Sequence, residues 1–267
     1  MLFNFALKPL NEITSWGDPG SERLHWFGLT DGSYWLAAGA STLFEYSEFA
    51  RPMGAPRICD YQVARLYEDI TEMCADVLEP VPADLISFIS GDGRRAALER
   101  VSQWVSDNGD RDDADFWAVV DLSMMWIGRR QLDSSHLSPS ADITMWSDEA
   151  MVHVEWANEA KLINGGCAWS AEAGSWSLGR QEFMQELRSF HERLMAAMAE
   201  RIDCVIEGGL APEIEVDVAG LVREHEGRCD LSPYVFGPPP VATNWDAVRR
   251  ALQACGVRTE NARSPAR

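Results

Sequence analysis

Lysine is almost missing from this chain: Lys8 and Lys161 stand beside twenty-one arginines. Positive charge of either kind is scarce. Forty-two Asp and Glu outweigh twenty-three Lys and Arg, for a net charge of -19. A phosphate backbone is repelled by such a protein, which argues against a nucleic-acid ligand. Anionic membranes are disfavoured for the same reason. Long apolar runs are missing too. No stretch approaches the ~20 residues that span a bilayer. The opening MLFNFALKPL is apolar, but it has no basic start and no small-residue cleavage site. These absences lead us to expect a cytoplasmic protein, with a basic protein as partner and neither nucleic acid nor membrane as ligand.

Patterned cysteines are a further absence. Cysteines 59, 74, 167, 204, 229 and 255 contain no C-x-x-C. In a chain of this size they read as buried free thiols, not as a zinc site or a disulfide framework. GDGRR at 91–95 lacks the spacing and the Lys-Ser/Thr of a phosphate loop. There is no G-x-S-x-G elbow. HERLM, from His191, supplies no second histidine for a metalloprotease helix. No cofactor, metal or catalytic residue is expected from motifs.

What is present is ordinary in bulk. The 267 residues are 46% apolar and 24% charged, as in a soluble globular protein. We expect a single α+β domain over 1–257 and a flexible tail over 258–267. Eleven tryptophans are unusual, and Trp serves cores and interfaces alike. The arginine bias with abundant alanine points to a GC-rich bacterial genome.

Along the chain the N-terminal third reads as antiparallel β. Leu24–Leu29 and Tyr34–Ala37 flank Asp31-Gly32, a tight-turn signal, and Thr42–Glu48 reads as a further strand. Helices follow. Val63, Leu66, Ile70, Met73 and Val77 share one helical face, ended by Pro80 and Pro82. Leu98, Val101, Trp104 and Val105 mark a second helix. A third starts at the N-cap types Asp112-Asp113, buries Phe116, Val120, Met124 and Ile127, and ends near Gly128. The period then changes to two over 142–146 and 151–156. Asn164-Gly165 is a hairpin signal, and a strand over SWSL completes a meander. Phe183, Leu187, Phe190, Leu194, Met198, Ile202 and Val205 predict one long amphipathic helix, stopped by Gly208-Gly209. Two shorter helices follow, the second capped by Asn244 and Gly256, with GPPP at 237–240 as a linker. The order is therefore α+β: an N-terminal antiparallel β segment, a helical middle, an antiparallel β-meander and a long amphipathic helix.

Three stretches invite a functional reading. GRRQLDSSHL brings Arg129, Arg130, Asp133 and His136 into ten residues. Catalysis needs groups that converge in space, which neighbours in one loop rarely do. A helix end is the simpler account: the arginines meet the negative end of the dipole, and Asp133 and Ser134 form the turn. His153 and Glu155 share a strand face at i and i+2, where two metal ligands can sit, but no third ligand is identifiable. They read as polar groups on a solvent face. Residues 60–121 hold fifteen Asp or Glu against five Arg. Within them Asp107, Asp110, Asp112, Asp113 and Asp115 form DNGDRDDAD, either a solvated loop or a docking surface for a basic protein.

At WFGLTDGSYWL, YQVARLYEDI, RRQLDSSHL, HVEWANEAKLINGG and FMQELRSFHERLMAAM the chain resembles a bacterial family, the domain of unknown function five-nine-eight-four. The resemblance runs from the first residues to about residue 206. It implies a bacterial, cytoplasmic, single-domain protein and carries over no catalytic residues. Two readings result. One is a non-enzymatic binding protein, such as an immunity protein that neutralises a basic toxin. The other is an enzyme with a site near Arg129, Arg130, Asp133 and His136. A small-molecule sensor with a Trp-lined pocket is a third.

Overall fold

The computed structural model describes residues 1–257 apart from 19–20, 112, 212–213, 231–236 and 238–239. The tail over 258–267, Asp112 and two residues of the GPPP linker, 238–239, therefore lie outside the described residues. The architecture is α+β, in the order read from the sequence.

The first sheet is built around β2 (Asp31–Ala38). One edge pairs antiparallel with β1 (Phe3–Leu7). The other edge pairs with β3 (Ser41–Leu43) at its C-terminal half and β4 (Asp60–Gln62) at its N-terminal half. This corrects the expected hairpin across Asp31-Gly32. Both residues lie inside β2, and Leu24–Leu29 is no strand, since Gly28–Thr30 forms a 3-10 turn. Gly32 is required by close approach and not by a turn: a Cβ there would stand 2.3 Å from Ala6 O. The sequence reading placed no element over β1, yet β1 supplies the buried Phe3. The strand expected over Thr42–Glu48 stops at Leu43, because Phe44 turns left-handed at φ 67°.

Three helices follow: α1 (Val63–Leu78), α2 (Gly91–Asp107) and α3 (Ala114–Gly128). In α1 the predicted face is buried in full. In α3 the N-cap is Asp113, whose Oδ1 accepts from Phe116 N at 2.8 Å. Its buried residues are Phe116, Ser123, Trp126 and Ile127. Met124, expected inside, is exposed. The helix is apolar almost all round, so periodicity alone could not select its inner face.

The second sheet has the order β5 (Ile143–Ser147), β6 (Met151–Ala157) and β9 (Ala173–Gly179), all antiparallel. A small hairpin, β7 (Leu162–Ile163) and β8 (Gly166–Cys167), turns through Asn164-Gly165 as expected, both with positive φ. Every residue of β5 is buried because both faces are covered. Ile143 and Met145 join the main core, while Trp146 joins a second cluster with α2, α3 and α6 (Trp245–Ala254).

The long helix α4 (Arg180–Ile206) buries all seven predicted apolar residues. It packs on β1 through Phe3–Phe190 stacking at 5.6 Å and bonds to α1 through Tyr67 Oη and His191 Nδ1 at 2.8 Å. Its partner α5 (Val218–Asp230) lies against it. Among the described residues no helix is long and apolar enough to cross a membrane.

Candidate functional site

The loop after α3 runs along α1, and its polar residues part company. Arg129 stays exposed. Arg130 turns inward and is fully buried. Its Nη1 donates to Trp126 O at 2.7 Å and its Nη2 to Glu79 Oε2 at 3.0 Å, with Trp245 5.5 Å away. Burial pulls its pKa down, and the Glu79 hydrogen bond opposes the shift. Glu79 also accepts from Thr243 N at 2.7 Å and Thr243 Oγ1 at 2.6 Å, so this pair ties α6 to the end of α1.

Asp133 and His136 go elsewhere. Asp133 Oδ1 accepts from Ser135 N at 2.9 Å, the expected turn, and Oδ2 pairs with Arg65 of α1. The Ser135 bonds hold its carboxyl below the usual range. Arg65 also reaches Asp69 at 3.4 Å. Asp69 is lifted to about 7, chiefly by burial and against the pull of Arg65. His136 Nε2 lies 2.6 Å from Tyr34 Oη, and its ring is 4.3 Å from Tyr61. Burial, then Arg65, lowers His136 to about 4. The structure thus gathers Asp133 and His136 with Tyr34, Tyr61, Arg65 and Asp69, and sends Arg129 and Arg130 away. No local pattern in the sequence links β2, α1 and this loop.

The seam between α1 and the loop holds an excess of unmet polar groups. Seven buried side-chain N or O atoms lack a hydrogen-bond partner among the described residues. Five of them are here: Arg65 Nε, Asp69 Oδ2, Asp76 Oδ1, Arg130 Nε and His136 Nδ1. Such groups are rare in native proteins, and each calls for water, a ligand or a functional reason.

A second region lies at the turn from α2 to α3. Asp107, Asp110, Asp113 and Asp115 are all exposed there. Arg111 pairs with Asp113 at 3.1 Å, and that bond, first of several, lowers the Asp113 pKa. Beyond it α3 shows solvent Trp117 at 50%, Leu122 at 37%, Met124 at 38% and Met125 at 49% exposure.

The polar face of β6, read as a solvent face, is half-buried. The start of α2 meets it at Glu155. Glu155 accepts from Ser90 Oγ at 2.6 Å, Gly91 N at 2.8 Å and Trp146 Nε1 at 3.1 Å, and so caps α2 from across the sheet. His153 bonds Ser177 Oγ and Asp148 and stacks on Trp146 at 4.1 Å. A cleft of about 700 Å³ beside them is lined by Arg94, Arg95, Lys161, Asp92, Asp142, Glu155 and Glu159, both signs together. Among the described residues no group of three or more His, Cys, Asp or Glu could hold a metal ion.

One Cys–His contact escaped the sequence reading. Cys229 Sγ lies 3.7 Å from His225 Nε2, while Trp26 Nε1 donates to His225 Nδ1 at 3.4 Å. The indole N–H makes Nδ1 an acceptor, so the neutral ring carries its proton on Nε2. A ring in that form cannot take the thiol proton. Burial, Asp230 and Glu226 raise the thiol pKa as well.

A protein-family model described as a family of unknown function, DUF5984, matches residues 2–251. No curated protein and no solved structure matches the chain.

Proposed function

The chain belongs to the DUF5984 family, a family of unknown function, and from that premise we propose that it is a binding protein for a basic protein partner. An immunity protein that holds a cationic toxin in the cytoplasm of its own host is the type we have in mind. The observation that carries this reading is the placement of Asp107. It is exposed in the last turn of α2, where no basic residue stands. A carboxylate at the negative end of a helix opposes the dipole and costs stability. Asp113 and Asp115 serve α3 as N-cap and first-turn acid. Asp107 and Asp110 serve neither helix end, beyond a 2.7 Å bond from Gln103 to Asp107. A partner rich in Lys and Arg supplies the missing reason, because such charges steer encounter.

The test is co-expression with a cationic protein encoded beside it, followed by association kinetics. Asp107→Asn with Asp110→Asn should slow association about tenfold or more at low salt and change dissociation little. An association rate indifferent to salt and to both substitutions overturns the proposal.

A second reading, an enzyme centred on Asp69, Asp133 and His136, draws support from the five unpartnered atoms of the seam. Its mark would be a pH–rate limb near 7 that vanishes in Asp69→Asn. Turnover indifferent to Asp69→Asn and His136→Gln removes it.

A further inference from the structure

We infer that the outer arc of α3 is the contact surface of this protein, and that it receives the apolar face of an amphipathic helix rich in Lys or Arg. The inference rests on the basic-partner reading and names what the partner presents.

The sequence of α3, ADFWAVVDLSMMWIG, is apolar almost all round. A helix of that kind is usually buried on every side, whereas a surface helix turns charge to the solvent. Here, among the described residues, only one side is covered. With about 100° of rotation per residue, Phe116, Ser123, Trp126 and Ile127 fall within one arc. That arc meets α2 and α6, with Trp104–Phe116 stacked at 5.3 Å and Trp126–Trp245 edge-on at 5.7 Å. The opposite arc carries Met124, Trp117, Asp121, Met125 and Leu122 in that angular order. Four of the eleven exposed large apolar residues among those described thus sit within nine consecutive positions. A grouped exposed patch of this sort marks an interaction surface. Methionine suits it, since an unbranched thioether adapts to the partner's shape.

Charge selects the occupant. Asp121 is exposed within the arc, and Asp113 and Asp115 stand at its N-terminal end with Asp107 and Asp110 across the turn. Arg111 is paired with Asp113, and Arg129 borders the C-terminal end. A second copy of this chain would bring two such acidic rims together and join two molecules of net charge -19. An anionic membrane meets the same repulsion. A helix with an apolar stripe between basic residues fits both the arc and its rim, in the helix-on-groove manner by which amphipathic segments bind.

The probe is a fluorescent synthetic helix with leucines on one face and lysines on the other, beside a scrambled peptide of equal composition. Leu122→Ser with Met125→Ser removes apolar surface at exposed positions and should leave the fold intact, as its melting temperature will report. We expect this variant to release the amphipathic peptide about tenfold faster, with association within about threefold of the parent, since apolar contacts act on dissociation. Asp107→Asn with Asp110→Asn should do the reverse. Unchanged release from the serine variant overturns the inference and leaves the basic-partner reading standing. Equal binding of the scrambled peptide overturns it too, because charge alone would then suffice. A concentration-dependent dimer, seen by sedimentation and abolished in the serine variant, would assign the arc to a second copy instead. Failure of the aspartate variant alone would count against the basic-partner reading and not against the arc.

Discussion

Tyr34 Oη and His136 Nε2 lie 2.6 Å apart, a hydrogen bond that ties β2 to the loop after α3. Burial lifts the phenol pKa, so Tyr34 keeps its proton. With the hydroxyl proton aimed at Nε2, that nitrogen accepts. The neutral ring then carries its proton on Nδ1, the atom left without a partner. In a protonated ring Nε2 must donate, and the hydroxyl turns its proton away and accepts instead.

The first prediction follows from the burial of His136 and of Asp69. His136 falls from 6.5 to about 4 on folding. The native state therefore binds fewer protons there, and its contribution is present above 6.5 and lost as pH falls towards 4. Asp69 rises from 3.8 to about 7. Its contribution is present below 3.8 and lost as pH rises towards 7. The two slopes oppose each other over much of the same window. Relative to the parent, Asp69→Asn should gain stability as pH rises from 4 to 7, and His136→Gln should lose it. Urea titrations at several pH values read both differences. Parallel curves for the parent and both variants would refute the assignment.

The second concerns Arg130 and Glu79. Arg130→Met strands the Glu79 carboxylate, which is only 10% exposed and also holds Thr243. Breaking a buried pair on one side costs about 3–5 kcal/mol. Adding Glu79→Gln should recover part of that loss, since the amide still accepts from Thr243 without a charge. A double variant less stable than Arg130→Met alone would contradict the account.

The third tests the core face of α4. Leu194 is fully buried. Leu194→Ala should cost about 2–5 kcal/mol, as a core cavity does. A loss below about 0.5 kcal/mol belongs to surface sites and would remove the residue from the core.

The fourth contrasts two glycines. A Cβ on Gly32 would stand 2.3 Å from Ala6 O and 2.9 Å from Leu7 Cα, so Gly32→Ala must part β1 from β2. We expect a loss of about 1–3 kcal/mol, the range of overpacking. Gly128 has nothing within 4 Å of such a Cβ. Gly128→Ala at the end of α3 should be neutral or stabilising by up to about 1 kcal/mol. Denaturation midpoints with equal slopes separate the two.

The acidic turn and the loop after α3 show how far local signals reach. Asp113 could be read as an N-cap because a cap depends on three neighbouring residues. Asp133 could be read as a turn residue for the same reason. Arg130 was expected at the helix end by the dipole, and one of its bonds does reach the Trp126 carbonyl there. Its ion pair with Glu79 was not legible, because that partner lies fifty-one residues away. His136 offered no sign of Tyr34, which is one hundred and two residues distant.

By itself the sequence determined the coarse order of β and α regions, the caps, the buried faces of α1 and α4 and the turn at Asn164-Gly165. Each is set by periodicity or by a side chain that acts on backbone within a few residues. Only the tertiary structure decided three other matters. It laid Gly32 inside a strand, since a neighbouring backbone presses there. It half-buried the polar face of β6, since the start of α2 meets Glu155 there. Among the described residues it also left one side of α3 exposed, because a helix apolar on every side carries no record of which side its neighbours will take.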